Sequence, residues 1–426
     1  MVRRSNNWKI EQQCPQCGAP VLLEETDKLF ACSFCRVRLF LSPGDFFRYY
    51  IPPTDPSMQE VIFVPYWRFK GMSFLCKANR TEQRIIDATA LAADYNKLPH
   101  SLGVRPQAVP LRFVSPELKP HFFLPHQPFK TVFSWIERKL LSVEHLSIAN
   151  QKTSHISREK VYHRAYIGET TSLIYLPVFI RGNALYDAIT ENRVAPIPDR
   201  EAGALSFQKL RDGQISFIPT LCPRCGWDLQ GEKDSLVLLC RNCDTAWKAS
   251  GNSLENLDFA VIPGEQDSPR YLPFWRMKVR ITGVTLKSYA DLVRFANLPK
   301  AIQKGWEEQE IHFWSPAFKI RPELFQRTAK AATNAQLVVE AGHRVPKARV
   351  FPVTLPAEEA LQGLKITLVN MAVPKRNILP LIDEIKITPQ ESLLVLVPFS
   401  KNTHEYLQKE MHLSLNINAL KYGRNL

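Results

Sequence analysis

Cys14-Pro15-Gln16-Cys17-Gly18, followed by Cys32-Ser33-Phe34-Cys35, returns later in the chain as Cys222-Pro223-Arg224-Cys225-Gly226, followed by Cys240-Arg241-Asn242-Cys243. The two clusters have one spacing, and they are separated by 222 − 14 = 208 residues. Pro65-Tyr66-Trp67-Arg68 and Pro273-Phe274-Trp275-Arg276 are also 208 residues apart. The chain therefore reads as a tandem duplication of a metal-stabilised unit.

Further matches extend this reading. Leu98-Pro99 corresponds to Leu298-Pro299, and Phe113-Val114-Ser115-Pro116 to Phe313-Trp314-Ser315-Pro316. Near the unit ends, Ser172–Phe179 resembles Ser392–Phe399, with Pro177 and Pro398 at an offset of 221. The larger offset places extra residues in the second unit, in Thr328–Lys375, where Ala329–Ala341 and Ala357–Leu364 read as helices. A smaller repeat, an apolar strand ending in proline, occurs at Pro65, Pro177, Pro273 and Pro398.

The fold class expected is α+β and β-rich. The two tandem units each hold a four-cysteine zinc ribbon and a mainly antiparallel β domain. The expected segments are ribbon 1 over residues 1–45, β domain 1 over 46–212, ribbon 2 over 213–255 and β domain 2 over 256–426. Proline is frequent at 32 residues and glycine scarce at 17, which favours strands with stiff connections. Phe74–Lys77 and Arg84–Thr89 read as a hairpin around Ala78–Thr81. Apolar residues at Val132, Phe133, Ile136, Leu140 and Leu141 have helical spacing, which predicts a helix over Lys130–Val143.

A C-x-x-C turn lets two sulfurs reach one ion, and paired turns complete the four thiolates that a structural zinc prefers. Proline stiffens the first turn of each cluster, and Gly18 and Gly226 can adopt positive φ without a Cβ clash. Arg36 and Asp244 hold that place in the second turns. The pattern resembles zinc ribbons of the transcription-factor and replication-protein class over about thirty residues in each half. With the proline-aromatic strand behind it, the duplicated arrangement also resembles uncharacterised bacterial zinc-ribbon proteins. The resemblance implies a fold element and two structural Zn2+ ions per chain, with no activity attached. Rubredoxin-type iron and a thioredoxin-like dithiol are the competing readings of the same cysteines. With all eight sulfurs engaged, no ligand position is left for a catalytic water.

The ninth cysteine, Cys76, falls on an expected strand and reads as a small buried side chain. Eight cysteines in metal-type pairs suit a reducing, cytoplasmic compartment better than a disulfide framework. The N-terminus has basic residues without an apolar stretch behind them, and no run is long enough for a membrane helix. The formal charge is +14. Two four-thiolate zinc sites, each carrying a net −2, would lower it to about +10. Such a balance favours acidic partners, although no block of five or six like charges marks one surface.

Strand alternation puts Tyr66, Arg68 and Lys70 on one face and Trp67 and Phe69 on the other. The second copy alternates Phe274, Arg276, Lys278 and Arg280 with Trp275, Met277 and Val279. Arg68, Lys70, Arg276, Lys278 and Arg280 are thus candidate binding residues for phosphate or carboxylate groups. A half-buried strand with a solvated basic face explains the same pattern. Asp87 and Asp187 recur in the small repeat as a candidate carboxylate pair or as turn-bonding residues. His121 and His126 suit neither a helix face nor a strand face. No phosphate-binding loop, dinucleotide fingerprint or nucleophile elbow is present. The expected function is a non-catalytic, zinc-binding adaptor or scaffold acting through a protein partner. Nucleic-acid binding through the ribbons and the basic aromatic strand face is the alternative, and an enzyme with a non-metal site in the β domains comes third.

Overall fold

The computed structural model describes residues 8–426 except 56–57, 59, 104–108, 116–117, 119–120, 130, 135, 137–159, 198–206, 209–214, 265–269, 340–341 and 343. Strand predominates over helix, and the pairing is mainly antiparallel. Among the described residues, no helix is long and apolar enough to cross a membrane.

The first sheet is built on two long strands, Val61–Lys77 and Val161–Arg181, paired antiparallel. Val61–Lys77 is buried along nearly its whole length because its two faces enter different cores. Ile62, Val64 and Tyr66 pack with Ile10, Phe30 and Leu41 of the first ribbon. Val61, Phe63, Trp67 and Phe69 pack with Ile86, Phe122 and Val132. A period of two residues thus feeds two cores from one strand. The expected hairpin is present, with Val61–Lys77 pairing Thr81–Leu91. Of the expected helix over Lys130–Val143, residues 131–134 are helical, Val132 and Ile136 are buried, and 137–143 lie outside the described residues.

Past Phe69 the same strand enters a third core. Gly168, at φ +70°, forms a bulge where the register slips between Ile167 and Thr170. Gly71 lies against it, and a Cβ there would come 3.1 Å from the Glu169 Cα. Beyond this bulge Met72, Phe74, Cys76 and Ile167 join the large core of the second half. A bulge bends its strand, which is how the pair reaches from one core into the next.

The second sheet centres on Arg270–Thr282 antiparallel to Lys386–Lys401. Pro65 pairs with Tyr175, and Pro273 with Leu396. Each central pair has a short parallel neighbour, Phe47–Tyr50 in the first sheet and Phe259–Val261 in the second. Helix Pro322–Ala335 buries Phe325, Thr328, Ala329 and Ala332 on one face. It starts earlier than the expected Ala329–Ala341 and ends earlier. Pro322 suits a helix's first turn. Gln336 turns left-handed at φ +47°, with its side-chain amide bonded to the backbone N–H and C=O of His312. The expected helix at Ala357–Leu364 divides into Ala357–Gln362 and Leu364–Met371 around Gly363.

The four expected segments share cores rather than each owning one. Strand Ile215–Pro219, which leads into the second ribbon, pairs with Arg38–Pro43 of the first. Leu29 and Phe40 of the first ribbon pack with Ile218, Cys222, Leu238 and Trp247 of the second. Side chains join the halves as well. Gln83 Nε2 donates to Gln326 Oε1 at 2.7 Å, and Lys319 Nζ to Thr170 Oγ1 at 3.1 Å.

Candidate metal centres

Each four-cysteine group is assembled from two tight turns at the ends of short strands. In the first, Gly18 N–H donates to Cys14 O and Cys14 N–H to Ala19 O, both at 2.8 Å. The second ribbon repeats both bonds, Gly226 to Cys222 and Cys222 to Trp227, at 2.8 Å each. Gly18 and Gly226 sit at φ +74° and +72°. Arg36 and Asp244 adopt the same left-handed region at +62° and +52°, at the cost that a Cβ carries there. Asp244 is held further by its Oδ1, which accepts from Val345 N–H at 2.9 Å.

The sulfurs converge. Cys14 and Cys35 are 3.6 Å apart and Cys17 and Cys32 3.7 Å; the matching pairs in the second ribbon are 3.6 and 3.5 Å. Within each group, all four ligand atoms lie within 4.8 Å of one another. A tetrahedral ion with bonds of about 2.3 Å requires sulfur–sulfur edges of about 3.8 Å, so the separations fit. They are far too long for a disulfide of about 2.0 Å. The donor set could therefore hold a metal ion at each group, and zinc suits its chemistry.

The backbone favours thiolates at these positions. Hydrogen bonds from the N–H groups of Cys35 and Phe34 lower the Cys32 thiol to about 7. The Asn242 side chain and the Trp227 N–H lower Cys225 to about 6. Four sulfurs this close cannot all carry charge without a cation among them. Burial and its neighbours Cys225 and Cys243 push Cys240 up to about 12. Although the Val37 N–H favours a Cys35 thiolate, burial and the neighbouring sulfurs push that thiol up to about 12 as well. A bound dication removes this conflict.

The surroundings of the two centres differ. Thr245 Oγ1 lies 3.2 Å from Cys243 Sγ and accepts from Trp247 Nε1 at 2.9 Å. The equivalent positions in the first ribbon, Val37 and Leu39, have no such polar groups. Both centres lie at exposed tips. Phe34 is 70% exposed, Trp227 60% and Leu221 52%, and Arg36, Arg38 and Arg224 beside them are exposed. The bond from Thr220 N–H to Arg38 O, at 3.4 Å, places these tips at one end of the shared sheet.

The five candidate cationic residues do not share a surface. Arg68 and Lys70 are buried. Arg68 grips Glu25, also buried, through a two-pronged ion pair and binds Asp87 at 3.0 Å. Lys70 Nζ reaches Glu25 Oε1 at 2.6 Å, and the Trp8 ring lies 3.4 Å from the Arg68 guanidinium. Burial alone would raise the Glu25 carboxyl, but Arg68 and Lys70 hold it below the usual carboxylate range. The expected solvated or ligand-facing role thus does not describe Arg68 and Lys70, because the first ribbon folds over that face and supplies their counter-ion. In the second sheet Lys278 pairs with Glu310 at 2.7 Å, Arg276 donates to His312 Nδ1 at 3.2 Å, and Arg280 is exposed.

Asp87 and Asp187 do not come together as a pair. Asp87 serves Arg68, whereas Asp187 is buried and its Oδ1 accepts from the N–H groups of Ile189 and Thr190, a turn role. Cys76 is fully buried, and burial pushes its thiol up to about 11. His121 and His126 are exposed.

Sequence reasoning missed Glu25, whose partner lies 43 residues away. It also missed a seam between the halves that holds Lys28, Glu169, Lys319 and Glu359. There burial, joined by Lys319, lowers Lys28 to about 8, and burial raises Glu359 to about 7. No run of sequence marks either feature. The exposed aromatics were legible only as residues next to cysteines.

No family model matches this chain, and neither a curated protein nor a solved structure matches it.

Proposed function

We propose that the protein is a non-catalytic zinc adaptor, in which two structural Zn2+ ions fix two ribbon tips as a docking surface for another protein. The observation that carries this reading is the combination of closed four-cysteine groups with exposed Phe34, Leu221 and Trp227 beside them. Four sulfurs around each ion leave no open position, so the metal shapes rather than reacts. Exposed aromatics on a rigid turn are the side chains that most often anchor protein interfaces. Free cysteines throughout support a reducing, cytoplasmic setting.

The proposal includes a tandem duplication with the segment boundaries given above. It is supported by equal hydrogen bonds in the two knuckles and by the register of the central strand pairs. Pro65 with Tyr175 and Pro273 with Leu396 are related by the offsets of 208 and 221 read from sequence.

Nucleic acid is the second reading, and of the ribbons and the strand faces it rests on the ribbon tips. Arg36, Arg38 and Arg224 next to Phe34 and Trp227 supply both phosphate contacts and stacking surfaces. Metal analysis and affinity capture test the proposal together. The native chain should carry two zinc equivalents and retain a protein partner that a Phe34→Ala, Leu221→Ala, Trp227→Ala variant loses while keeping its zinc. Retention of that partner by the variant would refute the docking surface. Binding of short single-stranded RNA or DNA that falls steeply with salt would favour the second reading.

A further inference from the structure

A cavity of about 560 Å3 lies where the two ribbons meet the second sheet. Its walls come from three parts of the chain: Lys28 and Phe40 of the first ribbon, Lys248 and Leu257 of the second, and Trp275 and Leu361 of the second β domain. Phe40 and Trp275 are almost fully buried, so the interior wall is apolar. Ser42, on the wall, spends its hydroxyl on Gly251 O at 2.7 Å. The volume falls within the range of about 300–1,000 Å3 typical of small-molecule sites, which are apolar with a few placed polar groups.

The charged groups on the wall are two lysines and Glu358. Among the described residues, neither lysine has an ion-pair partner. The wall therefore carries one net positive charge, enough for one monoanion. Among the described residues the wall holds no other acid and no arginine fork of the kind that grips phosphate bidentately. We propose that this cavity binds a small amphipathic monocarboxylate, its tail against Phe40, Trp275 and Leu361 and its head drawn by the positive charge of Lys28 and Lys248.

Lys28 adds a consequence. Its ammonium lies 4.5 Å from the Phe47 ring centroid, and the charged groups that act on it are Lys319, Glu359 and Glu25. Lys248 and Glu358 share its cavity wall. Burial and Lys319 lower Lys28 to about 8 in the free protein. A bound carboxylate favours the ammonium form, so affinity is highest below that value and falls as pH rises through it.

Calorimetric titration of the zinc-loaded full chain with decanoate, 1-decanol and acetate tests the assignment. Decanoate should bind, decanol at least about tenfold more weakly, and acetate not measurably. Lys28→Met and Lys248→Met should each weaken decanoate about tenfold without changing decanol. Filling the cavity with Leu361→Trp, or from its exposed rim with Ser392→Trp, should abolish binding, with zinc content and circular dichroism showing the fold intact. No decanoate binding, equal binding of decanol and decanoate, or native affinity in the folded Ser392→Trp variant would overturn the proposal.

Discussion

Arg68 and Arg276 stand in the same place of the same motif, yet one is buried in an ion-pair network and the other is half-buried beside a histidine. The difference lies outside the motif. Glu25, on the first ribbon, reaches over the strand to hold Arg68 and Lys70. The residue at 25 + 208 = 233 is Lys233, which cannot replace it. Trp8, which covers Arg68, is matched at 216 by a serine. On the second strand Arg276 and Lys278 find His312 and Glu310 instead. Two strands with one sequence motif thus have different electrostatic surroundings, because the first ribbon's Glu25 lies against only one of them.

The metal centres offer the largest test of the comparison. Cys17→Ser and Cys225→Ser should each remove one of two zinc equivalents, read by metal analysis. Loss of a structural zinc site removes binding energy on the order of 10–16 kcal/mol from local folding. Cys14 and Cys32 lie in the core under the first sheet. Cys17→Ser should therefore lower the main thermal transition as well. The second ribbon has extra fastenings: Arg424 Nε to Asp234 at 2.6 Å, and Asp244 to Val345. Cys225→Ser should leave the second sheet folded by circular dichroism. Equal collapse in both variants would erase the distinction.

Removing the paired arginines is the next test. Arg68→Met removes one of the two cations that hold buried Glu25, leaves Lys70 with it, and should destabilise by about 3 kcal/mol in denaturant titration. Arg276→Met should cost less than about 1 kcal/mol, because its surroundings are partly solvated. Glu25→Gln added to Arg68→Met should not recover the loss, since it leaves the buried Lys70 ammonium without its carboxylate.

A smaller effect is the pH response of His312, beside Arg276. Burial, joined by Arg276, lowers His312 from 6.5 to about 4. The unfolded chain binds that proton first, so His312 costs the native state stability as pH falls from about 6.5 to about 4. Arg276→Gln should raise the His312 value, followed by NMR titration, and reduce this loss. No change would remove Arg276 from the account. The smallest stability effect is expected at the tips, where Phe34→Ala and Trp227→Ala should each stay within about 0.5 kcal/mol of the native chain. A larger loss would mean that these rings support the ribbons rather than face a partner.

Much of this molecule was legible because its signals are local. The C-x-x-C spacing, the left-handed turn positions and the alternation of Tyr66 with Trp67 concern residues a few bonds apart. The capping box of Ser288 and Asp291, which starts helix Tyr289–Phe295, is an equally local signal that sequence reasoning missed. The helix Pro322–Ala335 lies earlier than its alanine run suggests, because Pro322 and Gln336 set its ends.

The sequence by itself determined the two four-cysteine groups and the β-rich class. These follow from ligand spacing and backbone periodicity, which short stretches encode in full. Only the tertiary structure decided that Glu25 neutralises the first cationic strand, that strand Ile215–Pro219 joins the first ribbon's sheet, and that three segments enclose the cavity around Lys28. Each of these brings together groups from tens to hundreds of residues apart. Their burial and charge balance exist only once the ribbons are laid against the sheets.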